Sequence, residues 1–246
     1  MFRPHLSLPR LRRSMAPLIA LVAGGCVNAS TLQTARVLPP RDQQIYVGGG
    51  MTTLPGSPDS LVKSLASLPY GEVGGRLGLI DSVDVGIHVT LLGTGGADAK
   101  WQFLDRGPLA MATGLNIGAL QISSNSDSSS SSTAAPRRAT GTGTGSTGGS
   151  PNSSTASEAK VTLLDIVIPL YVSYDVGSHL TVYGAPKYLL RALLADKGGG
   201  AQHMLGTTVG IKLGDGGGLM LETTYMRNLS ESYNMLQYNA AFFWSR

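Results

Sequence analysis

One cysteine in 246 residues excludes a disulfide-stapled scaffold, because a bridge within the chain needs two. Nowhere do apolar residues run on for the roughly 20 positions that a membrane helix requires. Four histidines and one cysteine, scattered along the chain, form no metal-ligand cluster. The glycine triplets at 48–50 and 216–218 lack a following helical pattern, so no phosphate-cradling loop is present and no nucleotide cofactor is implied. No nucleophile elbow appears either. Charge is scarce at 14% of residues, while glycine is abundant at 33, as a thin-walled β structure requires.

A surplus of positive charge is present only on paper. Arg3, Arg10, Arg12 and Arg13 lie in the first 25 residues with no acidic residue among them. Without those four of the 19 basic residues, 15 remain against 15 acidic ones, so the basic balance carries no message about nucleic acid. The four arginines precede a short apolar core at 16–23, which has the layout of a bacterial export signal.

What the chain does have is alternation, clearest at 70–92. Val83, Val85, Ile87, Val89 and Leu91 share one face, and Asp84, Gly86, His88 and Thr90 the other. Before the polar break Asp81-Ser82, Val73, Leu77 and Leu79 oppose Glu72, Gly74, Arg76 and Gly78. A period of two is a strand signal, so this stretch predicts a hairpin. Further strands are expected at 44–51, 100–105, 109–122, 161–174, 179–190, 203–213, 218–227 and 234–244. Between them, Gly93 to Asp98 reads as a flexible loop. Residues around 61–65 suggest a short helical turn.

The connections alternate in length. Those after the second, fourth, sixth and eighth strands are short (81–82, 106–108, 175–178 and 214–217), and the others are longer or irregular. Bacterial outer-membrane barrels have an even strand number, short periplasmic turns and longer outer loops. The expected fold class is therefore all-β: a closed antiparallel transmembrane β-barrel of about ten strands, with eight or twelve as alternatives. The tract 123–159, rich in serine, glycine and threonine, cannot bury enough apolar surface to offset its ordering entropy. It reads as a disordered extracellular loop. A linker is the alternative, but each flank would then hold only about five strands.

Two features resemble known families. Ala23-Gly24-Gly25 before Cys26 resembles the lipobox of bacterial lipoproteins, in which the cysteine is acylated; Ala23 stands where the family prefers leucine. The resemblance implies a signal peptide at 1–25, lipidation at Cys26, a periplasmic tether at 26–42, and handling by the lipoprotein-sorting machinery. Cleavage after Val27-Asn28-Ala29 is the alternative. The last strand, with Leu236, Tyr238, Ala240, Phe242 and Trp244 on one face, resembles the terminal aromatic signature of outer-membrane barrels; Ser245-Arg246 then follow. That resemblance implies the barrel-assembly machinery and outer-membrane lipids as partners, a barrel at 43–246, and both termini in the periplasm.

The inward face is then expected to carry Glu72, Arg76, Asp84, His88, Asp165, Lys187, Lys212 and Glu222 as a charge network filling the lumen. The lumen-facing glycines Gly74, Gly78, Gly86, Gly114, Gly118, Gly206 and Gly210 pull the other way by leaving room for a narrow pore. Some small outer-membrane barrels are hydrolases, yet His88 and Asp84 sit four residues apart on a strand, about 13 Å, too far for a direct dyad. The reading is a structural or surface-interaction protein, not an enzyme. A narrow solute pore and an outer-rim hydrolase are the alternatives.

Overall fold

A computed structural model describes residues 29–55, 69–91, 93–124, 159–195, 199–231 and 233–246. The lipobox residues with Cys26, the short helix at 61–65 and most of the serine-rich tract lie outside the described residues.

Ten strands form: β1 (Gln43–Thr53), β2 (Pro69–Ile80), β3 (Val83–Thr90), β4 (Gly95–Arg106), β5 (Leu109–Ser124), β6 (Ala159–Asp175), β7 (Leu180–Ala195), β8 (Gly200–Leu213), β9 (Gly217–Asn228) and β10 (Asn234–Ser245). Each pairs antiparallel with its neighbours in sequence, and β1 pairs with β10, so the sheet closes into a barrel without an edge. Closure satisfies every ladder and removes the exposed strand edges that would invite aggregation. Gln43, Arg246 and the turns after β2, β4, β6 and β8 gather at one rim, the turn mouth. The opposite strand ends mark the other rim, the loop mouth.

β4 begins five residues earlier than its sequence suggests. Gly95 and Gly96 pair with Ala119 and Gly118, so the expected flexible loop is mostly strand. Glycine is required at 96 because the imidazole of His88 lies over it, where any side chain would collide. The same device recurs. Side chains on Gly74 and Gly210 would strike the rings of their cross-strand partners Tyr46 and Tyr183. Asp98 and Arg76 occupy the space over Gly86, Met226 the space beside Gly206, and Tyr171 that beside Gly114. Cross-strand side chains therefore fill the room beside these glycines and the main chain of Pro39 that beside Gly78, while the space beside Gly118 stays open. Gly210→Val should displace the Tyr183 ring and cost about 1–3 kcal/mol, as overpacking does, read as a lowered thermal midpoint of the folded barrel.

The largest departure concerns the expected tether. Residues 29–38 do not trail into solvent; they run through the barrel. Ala29 is buried with Leu54, Met204, Met226 and Met235 towards the loop mouth. Ala35 packs in the turn-side half of the lumen against Ala110, Ala112, Tyr171 and Ala185. Pro39 reaches Gly78 near the turn mouth, where Arg41, at φ 73°, turns the chain into β1 and donates its N–H to the Gly78 carbonyl at 2.9 Å. Ala29 and Arg246 consequently lie at opposite mouths. The physical reason is the wall: apolar inward residues on β6, such as Val167 and Tyr171, need an apolar partner inside the barrel, and the segment supplies it.

Candidate functional site

The lumen gathers the chain's buried charge. Along β3 the alternation puts Asp84 and His88 inward, and along β2 it does the same for Glu72 and Arg76. Cross-strand register then decides who meets whom. Gly86 stands opposite both Arg76 and Asp98, and Asp84 opposite Lys100, so one guanidinium can span two strands. Arg76 donates to Asp98 at 2.6 Å and also to Asp84, while Lys100 lies 3.2 Å from the second oxygen of Asp84. Asp84 is fully buried. Buried charges persist only when paired, and here each has a partner.

A second network centres on Glu222 of β9. It accepts from the Tyr183 hydroxyl and from Thr224 Oγ1, both at 3.3 Å. Thr208 and Thr224 share a 2.6 Å hydrogen bond, and Lys187 reaches Thr224 at 3.5 Å. Towards the loop mouth Arg191 grips Asp165 through two nearly equal bonds of 2.8 and 2.9 Å. Glu72 accepts from the Tyr46 hydroxyl at 2.5 Å. Lys212 lies over the Phe243 ring, 4.7 Å from its centroid, and lines a cavity of about 250 Å³ at the turn mouth with Arg36, Asp84, Lys100 and Asp215.

All eight residues singled out from the sequence lie on the inner wall. They do not form one constellation. His88 is not joined to Asp84, whose oxygens are taken by Arg76, Lys100 and the N–H of Leu38. His203 looks outward, 2.5 Å from the Tyr188 hydroxyl. Asp98, Lys100, Arg191 and Gln237 were not singled out. Asp98 and Lys100 share the inward parity of Gly96 and Gln102, a signal obscured once the glycines before them are read as loop. Arg191 follows Lys187 by four on the same strand face, and that spacing was legible.

The wall's main occupant is residues 29–38. Gln237 accepts the N–H of Ala29 at 3.1 Å, and Lys187 donates to the Ala29 carbonyl. Glu222 accepts the N–H groups of Thr31 and Leu32 at 3.0 and 2.8 Å, together with the Thr31 hydroxyl at 3.0 Å. Leu32, at φ 40°, bends the segment so that two successive N–H groups face one carboxylate. Lys100 donates to the carbonyls of Thr34 and Arg36 at 3.0 and 2.7 Å. Gln102 and Asp84 accept from Val37 and Leu38 at 2.8 and 3.2 Å. At the turns, Arg36 is held by Asp105, Asp175 and the Gly107 carbonyl.

No protein-family model and no curated protein matches this chain. In fold it is similar to solved bacterial outer-membrane barrels. One is Ail, the attachment invasion locus protein of Yersinia pestis, in complex with the heparin analogue sucrose octasulfate: 6% identity, 84% of this chain and 99% of that one covered, TM-score 0.39. Another is an outer membrane channel from Pseudomonas putida F1, with 8% identity, coverage of 86% and 98%, and TM-score 0.39. A third is the outer membrane protease OmpT from Escherichia coli, with 9% identity, coverage of 86% and 98%, and TM-score 0.38. What these proteins have in common with this chain is a closed β-barrel.

Proposed function

We propose that this protein is a bacterial outer-membrane barrel, sealed by its own chain, with a structural or surface-interaction role and no enzymatic activity. The observation carrying this reading is how side chains sort across the wall. Ile87 and Val209 are 69% and 59% exposed on the outside, while Arg76, Asp84, Lys100, Lys187 and Glu222 are buried inside. A barrel in water gains by the reverse arrangement. Exposed Trp101, Tyr174, Phe242 and Trp244 lie towards the turn mouth, and Tyr225 and Tyr238 towards the loop mouth, as two interfacial girdles would. An apolar exterior hollow of about 730 Å³ beside Ile45, Leu77, Ile87 and Ile117 suits hydrocarbon chains, which supports membrane lipid as a partner.

Val209→Arg tests this. Mid-strand on a lipid-facing wall, the substitution should cost about 2–4 kcal/mol, seen as less of the compact, unboiled form on a denaturing gel. On a water-facing wall it should stay within about 0.5 kcal/mol. Equal stability of variant and parent, with the parent in the soluble fraction, would sink the membrane reading.

In such a membrane the short-turn mouth faces the periplasm and the loop mouth faces out. The barrel-assembly machinery remains the implied insertion partner. The lipid anchor read onto Cys26 meets a geometric constraint. Three residues span at most about 11 Å, whereas the apolar band of such a barrel is about 25 Å tall. With Ala29 towards the loop mouth, a filled lumen argues against a periplasmic lipid anchor only three residues before it.

A further inference from the structure

Wall and segment meet through main chain. Gln237, Glu222, Gln102 and Asp84 accept N–H groups, and Lys187 and Lys100 donate to carbonyls, so both polarities of a peptide backbone are matched from positions 29 to 38. Side chains add to this at Thr31, Gln33 and Arg36, which bond Glu222, Asp98 and the turns, whereas those of Ala29, Ser30, Thr34 and Ala35 are small. The fit is tight there: Ala35 is fully buried among alanines from β5 and β7. Lys187 and Lys100 are themselves buried, and the segment's carbonyls are among their acceptors. A wall carrying buried ammonium groups is costly without such acceptors. The direction of travel is set at both ends, by Arg36 at the turns and by Ala29 among the methionines near the loop mouth.

We propose that the lumen is a binding site for an extended polypeptide main chain, and that it serves to lead the part of the chain preceding Ala29 out through the loop mouth. The outward sense of that mouth rests on the membrane reading above. Recognition rests mainly on backbone groups, with the Arg36 side chain as the anchor at the turns and small side chains required where Ala35 packs.

The test uses the full chain carrying two epitopes, one inserted between Asn28 and Ala29 and one between Gly143 and Thr144 in the serine-rich tract after β5. Both should bind antibody on intact cells. A loop epitope that is accessible, with an N-terminal epitope reached only after permeabilisation, overturns the proposal and leaves the membrane orientation standing. Two hidden epitopes overturn the orientation and the outward exit with it. Loss of the N-terminal epitope from the mature chain, as cleavage after Ala29 would cause, also overturns it. In the tagged chain, Glu222→Ala with Lys187→Met should lower the N-terminal surface signal about tenfold or more, since several charge-assisted hydrogen bonds go together. The loop epitope and the compact gel form should persist in that variant. An undiminished N-terminal signal there would mean that these side chains do not hold the strand.

Discussion

Glu222→Ala combined with Lys187→Met will turn a barrel that shows no conductance steps in planar bilayers into one that does. Glu222 takes two N–H groups and a hydroxyl from the segment at 2.8–3.0 Å, and Lys187 holds the Ala29 carbonyl. Each charge-assisted bond contributes about 1.5–3 kcal/mol, so losing this set removes most of what fastens the upper half of the segment. Ten strands enclose slightly more than the eight whose interior side chains just fill, and the surplus is about the section of one extended chain. Freed there, the segment should open a narrow path with small, flickering steps. The parent should be silent. Equal conductance in parent and variant would show that residues 29–38 do not close the lumen, and silence in both would show that wall side chains close it unaided.

Arg76→Met should be the most destabilising single substitution in the wall, by about 3–5 kcal/mol, the usual result of removing one partner from a buried ion network. The guanidinium bridges Asp84 on β3 and Asp98 on β4, both with little exposed side chain. Its loss leaves two carboxylates close together with Lys100 as the nearby cation. Methionine fills the volume but neutralises nothing. Arg76→Lys keeps the charge, yet a single ammonium cannot reproduce the planar fork, so an intermediate loss is expected. Adding Asp98→Asn to Arg76→Met should recover part of the deficit, because the two residues are in direct contact and their effects do not add. Denaturant midpoints of refolded barrels in lipid vesicles would measure all four proteins. A midpoint for Arg76→Met within about 0.5 kcal/mol of the parent, the range of ordinary surface substitutions, would mean that the network is solvated and contributes little.

Much of the wall was legible because a pleated strand converts sequence parity into a face. Val83, Val85, Ile87 and Val89 separate from Asp84 and His88 by position alone, and the short turns at 81–82, 107–108 and 214–216 divide strand from strand. The start of β4 was not legible, since Gly95 and Gly96 carry turn chemistry locally and become strand through pairing with β3 and β5, with the His88 ring seated over Gly96. Nor could the pairing of Arg76 with Asp98 be read. It depends on Gly86 standing between two neighbouring strands in register, which closure imposes.

The sequence by itself determined an all-β chain, the place of most strands and which residues share a face, because those follow from local periodicity and turn residues; that the strands number ten was decided by closure. Only the tertiary structure decided that the charged face is the inner one, for alternation is the same whichever face turns inward until the sheet closes. It also decided where 29–38 goes. That segment is recognised largely through peptide groups common to every residue, by partners such as Lys187 and Glu222 more than 150 positions away, and a main-chain contact leaves no mark in the pattern of side chains.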